Sequence, residues 1–419
     1  MAIIKIKNQA IDLDAAEIPN LPTSKITSGT LADARISNQN KVVKSGSAPS
    51  SPQEGDLWYD TTNDVLKVYD NTSSNFVKIA RITPTLDSIS GTILNATAGN
   101  LTLTGTGFLG SGLIVSFTPS GGSASTVTVT PSNDTTATVA VPSAIYGQST
   151  NTVIAIKVTN SDVKSSGNIN KTVTTLPTGG TISTISGYRI HTFNSSADFV
   201  TYDTKTLEYL IVAGGGGGGW DVGGGGGAGG MLTGSVSKSA GTYSIVIGAG
   251  AAGNPNNSTQ NSGNNTTALS LTAIGGGGAG NWVTGGNSNG TNNGADGGSG
   301  GGAGGWDQSR TGGNGTASQG NDGGDATTAS TGRTGGGGGG AGGDGANDST
   351  ASYVAGGSGL ASSITGSSVT YAEGGKGGND LAYSEQENGR TNKGDGGDGA
   401  GGGPSSAGGS GVVIVRYTI

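Results

Sequence analysis

Few residues in this chain are equipped for covalent or metal chemistry. His191 is the only histidine and cysteine is absent, which excludes a multi-histidine metal centre, a thiolate nucleophile and a disulfide framework. A Ser-His-Asp triad would depend on His191, which falls in the run Tyr188–Phe193 and reads as a strand residue. Carboxylates occur in pairs: Asp322/Asp325, Asp344/Asp348 and Asp395/Asp398 beside glycine turns, and Glu385/Glu387. Pairs of this kind can hold calcium through oxygen, or act as the acid and base of a glycosidase. They do not follow the nonapeptide spacing of calcium-binding β-helices and nothing fixes their separation, so solvated turn carboxylates are the simpler reading. Gly248-Ala-Gly-Ala-Ala-Gly253 has the form of a dinucleotide fingerprint after a strand. Asn-Pro-Asn follows it where a helix must begin, so no helix N-terminus would face a pyrophosphate. The Gly-Lys-Ser/Thr of a P-loop is missing, and Asn71, Asn194 and Asn257, which head glycosylation sequons, read as polar loop residues. The expectation is a protein that is not an enzyme and carries no cofactor or metal.

Aromatic residues are the better candidates for function. Three of the four tryptophans follow glycine runs: Trp220 and Trp306 directly, Trp282 two residues beyond one. Large rigid rings supply contact area at low entropic cost, and they can stack on sugars or on a protein receptor. They can equally seal the end of a packed structure against water. Trp220 reads as such a cap; Trp282, Trp306 and Tyr383, set among longer polar loops, read as receptor-binding residues.

The elements that position them follow from composition. Of 419 residues 86 are glycine, and only 16 of these precede residue 214, so about a third of the remaining chain is glycine. That shift places a domain boundary near Ala213. The net charge of −7 comes without any Lys/Arg cluster, which argues against nucleic acid or an anionic membrane as partner. Ile4 and Ile6 alternate with Lys5 and Lys7 where a signal peptide would need an apolar core, and no apolar run approaches a membrane span. A chain without membrane insertion is expected.

Residues 1–45 are too thin in apolar residues to form a core of their own, so they either bury them against a partner chain, as an oligomerisation segment, or form a flexible tail. Residues 46–80 contain three short alternating runs, Asp56–Tyr59, Val65–Tyr69 and Phe76–Ile79, which predict a three-stranded meander around Trp58. From 82 to 176, runs at Asn100–Thr104, Leu113–Phe117, Thr126–Thr130, Thr135–Val141 and Val153–Thr159 arrive every 10–15 residues between Gly, Pro, Asn and Ser. Such spacing predicts a small β-sandwich.

Residues 181–419 form the glycine-rich domain. The β-branched runs Leu207–Val212 and Val412–Tyr417 stand at its two ends, with Tyr243–Ile247 and Ala268–Ala273 between them as further strands. If the end runs pair, they close the glycine-rich interior. Collagen is excluded, because the glycines lack a three-residue period and there are only 11 prolines. Disorder is the compositional alternative. The reading taken here is a bundle of polyglycine-II helices with three residues per turn, whose N–H and C=O groups pair between neighbours that only glycine lets approach. The fold class is therefore mainly β: an N-terminal segment, a small β meander, a small β-sandwich, and polyglycine helices closed by strands.

Several stretches carry resemblances. Pro-x-x-Pro-x-x-Gly-Asp-Leu-Trp-Tyr-Asp, followed by Leu-Lys-Val-Tyr, resembles a module of phage tail fibres. Leu101-Thr-Leu-Thr-Gly-Thr-Gly-Phe108 with Val141-Pro142 resembles the IPT/TIG group of immunoglobulin-like modules. Tyr209-Leu-Ile-Val-Ala-(Gly)6 and Gly411-Val-Val-Ile-Val-Arg-Tyr417 resemble the C-terminal glycine-rich domain of phage tail-fibre proteins. In plan the domain is also similar to the distal adhesins of T-even-like phages. The resemblance implies a virion tail-fibre protein, made in the host cytoplasm and assembled as a homotrimer. Its N-terminal segment would contact tail or other virion proteins, and its C-terminal loops a host cell-surface glycan or protein. A purely structural virion component is the alternative.

Overall fold

The computed structural model describes residues 42–63, 65–78, 83–108, 112–161, 164–282, 292–305, 309–327, 333–348, 354–380 and 386–419. The expected attachment segment lies outside them up to residue 41. As the sequence indicated, the described chain is mainly β, with one short helix, Ser143–Tyr146.

The first sheet has four strands, β1 (Val42–Ser45), β2 (Leu57–Asp60), β3 (Val65–Asp70) and β4 (Asn75–Lys78), in sequential order. The expected meander is β2–β3–β4. β1 is an addition, parallel to β2, and it went unread because Val42 and Val43 are both exposed and leave no alternation. Trp58 is buried, edge-on to Phe76, under the Lys67 ammonium, and its Nε1–H donates to Ser45. Asp60 accepts from Lys67 Nζ (2.8 Å), from Asn63 and from the Thr62 amide, and these donors hold its carboxyl well below the usual carboxylate range.

Residues 85–174 form two facing sheets. β5 (Thr85–Ser90), β7 (Asn100–Thr106) and β10 (Thr136–Ala140) make one; β6 (Ile93–Leu94), β8 (Leu113–Pro119), β9 (Ser125–Val129), β11 (Val153–Thr159) and β12 (Ile169–Thr174) make the other. Alternate residues point inward, so Leu101, Leu103 and Val139 meet Val115, Phe117, Ile154, Ile156 and Val158 in a common core. Gly105 lies where a Cβ would stand 2.0 Å from the Thr85 carbonyl oxygen, so a side chain there would part β5 from β7.

The third unit is organised by a five-stranded sheet in the order β13 (Thr181–Ile185), β14 (Tyr188–Phe193), β23 (Val412–Thr418), β16 (Lys205–Val212), β17 (Met231–Lys238). β16 and β23, the two end runs, pair directly: Tyr209 faces Val415 and Val212 faces Val412. Both sheet faces are covered. Phe193, Leu207, Ile211 and Val413 pack with β15 (Ala197–Thr201), β18 (Gly241–Ile245) and the hairpin of β19 (Thr266–Ala268) and β20 (Leu271–Ala273) on one side. Ile190, Leu210, Val212 and Ile414 pack beside β21 (Leu360–Ser362) and β22 (Val369–Tyr371) on the other. The single strand expected at Ala268–Ala273 is this β19–β20 hairpin, because Leu269 and Ser270 turn the chain at φ 53° and 65°.

Beyond the sheet the glycine runs form a hydrogen-bonded lattice. Gly214 and Gly217 donate to Asn264 and Asn261; Gly215 and Gly218 donate to Gly409 and Ser406; Gly216 and Gly219 donate to Gly227 and Gly224. Residues three apart thus address the same neighbour, which is the signature of three residues per turn. The carbonyls of the same run accept from three further segments: Gly214 and Gly217 from Gly276 and Ala279, Gly216 and Gly219 from Gly397 and Ala400, and Gly215 from Ala251. At Gly218 the period is completed through a side chain, with Ser405 Oγ accepting from the Asn254 amide (2.8 Å) and donating to the Gly218 carbonyl (2.5 Å). One glycine run therefore has six neighbours. The run 223–230 repeats the pattern, donating to 394–400, 274–280 and 336–339 and accepting from 375–378, 299–302 and 213–219. Ala228 and Ala279 find room for a methyl group, but Gly216 could not carry one: a Cβ there would lie 2.1 Å from the Gly277 oxygen.

Candidate functional site

The lattice has two unlike ends. β16 and β17 form a hairpin paired from Lys205↔Lys238 to Val212↔Met231, and the runs 214–219 and 223–230 extend it, with Gly216 bonded to Gly227 and Gly219 to Gly224. Six residues at about 3.1 Å each carry the turn at 220–222 roughly 20 Å beyond the sheet. Asp221 makes that turn at φ 56°, its amide donating to the Gly403 carbonyl (3.0 Å).

Other run ends meet at this tip. The Trp282 amide donates to the Trp220 carbonyl (3.2 Å), continuing the series in which Gly276 and Ala279 bond Gly214 and Gly217. The Trp220 amide donates to Asn281 Oδ1 (2.7 Å), which also accepts from Asn254 Nδ2 (3.0 Å), while Asn281 Nδ2 donates to the Thr259 carbonyl (2.6 Å). Asn254 and Asn281 are fully buried. Gly305 donates to the Val222 carbonyl and Gly378 to that of Gly223. Arg310 is buried and spends Nη1 on the carbonyls of Gly304 (3.1 Å) and Gly305 (2.8 Å). Arg333 pairs with Asp380 at 2.6 Å. Burial raises the Asp221 carboxyl above its ordinary value, and the nearby Asp380 charge adds to that. The tip is thus a sealed polar cap under a rim carrying two half-buried tryptophans and two acids.

Of the receptor-binding residues expected from sequence, Trp282 stands at this rim beside Trp220. Trp306 and Tyr383 lie outside the described residues. Sequence reasoning missed Asn254, Asn281, Arg310 and Asp380. For Asn254 and Asn281 the signal would have been a polar residue one position past the end of a glycine run, which composition alone does not separate from loop; Arg310 and Asp380 stand further from their runs and carry no such mark.

The paired acids are engaged by the lattice itself. Their side chains clamp the backbone of an adjacent segment. Asp395 Oδ1 accepts from the Glu373 amide (2.9 Å) while Gly396 donates to the Glu373 carbonyl (2.8 Å). Asp398 and Gly399 hold Lys376 in the same way, at 2.8 and 2.9 Å. With three residues per turn, positions i and i+3 face one neighbour, so the Asp395/Asp398 spacing is a lattice register. Asp322 and Asp325 likewise accept from the amides of Gly315 (2.7 Å) and Gly312 (2.9 Å). Asp344 Oδ1 takes the Asp322 amide (3.2 Å), and Asp348 takes Thr327 (2.9 Å). Glu387 gives its own amide to Asp398 Oδ2 (3.0 Å), and Glu385 lies outside the described residues. Among the described residues no group of three or more His, Asp or Glu is arranged to hold a metal.

His191 is fully buried in β14, stacked on Tyr417, with Nδ1 2.7 Å from the Gly179 carbonyl. That contact makes Nδ1 the protonated nitrogen, and burial holds the ring's pKa below its ordinary value. It belongs to the sheet's packing. Among the described residues no helix is long and apolar enough to cross a membrane.

The sequence of residues 191–418, more than half of the chain, matches the glycine-rich domain family, and the chain belongs to that family. No curated protein matches it.

Proposed function

We propose that this chain is a virion tail-fibre protein that binds a host cell-surface glycan or protein through the loops at its lattice tip. One observation carries the reading. β13 and β23, the first and last strands of the glycine-rich domain, belong to the sheet at one end of the lattice, while Trp220, Trp282, Asp221 and Asp380 gather at the other end, about 20 Å beyond it. That polarity suits an adhesin held at one end and presenting the other. The segment 1–45 attaches to tail or other virion proteins, and the four-stranded module and the IPT/TIG-like sandwich act as spacers. Copies associate as a homotrimer, so weak tip contacts add through avidity.

The test is binding of the labelled full-length chain to susceptible cells, together with competition against infection. The reading expects saturable binding that Trp282→Ala weakens severalfold while the melting temperature stays within a few degrees. A folded chain that neither binds susceptible cells nor competes with infection would overturn it and leave a structural virion component as the function.

A further inference from the structure

The glycine-rich domain is full of the dipeptides most prone to spontaneous ageing. In Asn-Gly and Asp-Gly the glycine nitrogen attacks the side-chain carbonyl carbon and a nitrogen–carbon bond closes a succinimide. Ammonia leaves from Asn, or water from Asp; hydrolysis of the ring then gives aspartate or isoaspartate. The reaction needs a glycine nitrogen free to approach and a side chain free to swing onto its own backbone.

Each of the eight described Asn-Gly and Asp-Gly pairs is denied both freedoms. For the asparagines, Gly294 donates to the Thr311 carbonyl (2.9 Å) while Asn293 Oδ1 accepts from the Thr311 amide (3.1 Å). Gly389 and Asn388 hold Ala407 in the same two-bond ring, at 2.8 and 2.9 Å. Gly315 donates to Asp322 Oδ1 (2.7 Å), and Asn314 Nδ2 donates to Asp296 Oδ1 (3.0 Å). The five aspartate pairs are held alike. Gly297, Gly323, Gly345, Gly396 and Gly399 all donate to carbonyls of other segments at 2.8–3.1 Å. Each preceding carboxylate accepts a backbone amide from another segment at 2.6–3.2 Å.

We infer that the clamp is a chemical shield: the lattice engages the attacking glycine N–H and pins the side chain of every described Asx-Gly pair away from it, and so suppresses deamidation and isomerisation in the folded chain. The inference does not depend on the proposed function. It explains how a glycine lattice can use Asx-Gly as its edge register without ageing at each use.

The test is peptide mapping by mass spectrometry, with enzymatic isoaspartate counting, of the full-length chain incubated at mildly alkaline pH with and without urea. Succinimide formation at Asn293, Asn314 and Asn388 is expected to be at least about five-fold slower in the folded chain, the factor that one net hydrogen bond of about 1 kcal/mol represents. Equal rates with and without urea would overturn the inference. Asp322→Ala gives a local test, because it frees the Gly315 amide alone. Asn314 should then deamidate faster while Asn293 and Asn388 stay slow, and an unchanged Asn314 in a variant that keeps the wild-type circular dichroism would also overturn it. Should that variant not fold, the wild-type comparison with and without urea decides by itself.

Discussion

Gly216→Ala should unfold the glycine-rich domain far more readily than any comparable change outside the lattice. An added Cβ would lie 2.1 Å from the Gly277 oxygen and 2.6 Å from its carbonyl carbon, where a carbon–oxygen contact needs about 3.3 Å. The run 275–280 must therefore retreat by about 1.2 Å. That movement breaks Gly276 N–H to Gly214, Ala279 N–H to Gly217, Gly227 N–H to Gly277 and Gly277 N–H to Ser299, all now 2.8–3.1 Å. Four buried bonds at about 1–2 kcal/mol each, once orphaned groups are included, cost about 4–8 kcal/mol. Total stabilities are about 5–15 kcal/mol, so the melting temperature should fall by roughly 10–30 °C for a domain of this size. Gly343→Ala is the control. Its Cβ would meet Ser358 Oγ at 3.3 Å, the end of a movable side chain, and the Ser358 nitrogen at an ordinary 4.0 Å, and it should change stability by less than about 1 kcal/mol. Thermal unfolding followed by circular dichroism separates the two, and a Gly216→Ala protein melting within a few degrees of wild type would refute the lattice reasoning.

Two further outcomes follow from single contacts. Ser405→Ala removes the hydroxyl that joins the Asn254 amide to the Gly218 carbonyl; leaving both groups unpaired should cost about 1–3 kcal/mol, measurable by denaturant unfolding. His191, held neutral by burial, should make stability pH-dependent. The unfolded chain gains this proton near pH 6.5 and the folded chain only at lower pH, so the contribution is complete above about 6.5 and is lost as pH falls, by up to about 1.4 kcal/mol per unit. The fall in melting temperature between pH 7 and 5 should be smaller in His191→Gln than in wild type.

Much of the frame was legible in the sequence because it is written in side chains. Leu207–Val212 and Val412–Tyr417 are β-branched runs, and they are adjacent strands of the closing sheet. Trp58 and the alternation around Leu101 and Phe117 likewise marked buried faces. The glycine runs were legible in kind but not in partner. A backbone without side chains carries no pattern to say that Gly214 bonds Asn264 while Gly215 bonds Gly409; only the completed lattice decides that. β17 was missed for a related reason, since Thr233, Gly234 and Ser235 are exposed and its register comes from β16. The acids were visible but ambiguous. An Asp pair three residues apart suits a cation, a turn or a three-fold backbone helix equally well, and the amides that Asp395 and Asp398 accept belong to Glu373 and Lys376, 22 residues away. At the tip, Trp282 was legible as an aromatic after a glycine run, whereas Arg310 and Asn281 owe their roles to carbonyls and amides that chain distance hides.

The glycine-rich region has a core made of backbone hydrogen bonds. Amide hydrogen exchange of the full-length chain tests it most directly, read on peptides spanning 214–219 and 223–230. If these runs are the centre of the lattice, their amides should exchange by global unfolding, as slowly as those of β16 and β23. Exchange of the two runs at the rate of an unstructured glycine peptide, with β16 and β23 still protected, would contradict it.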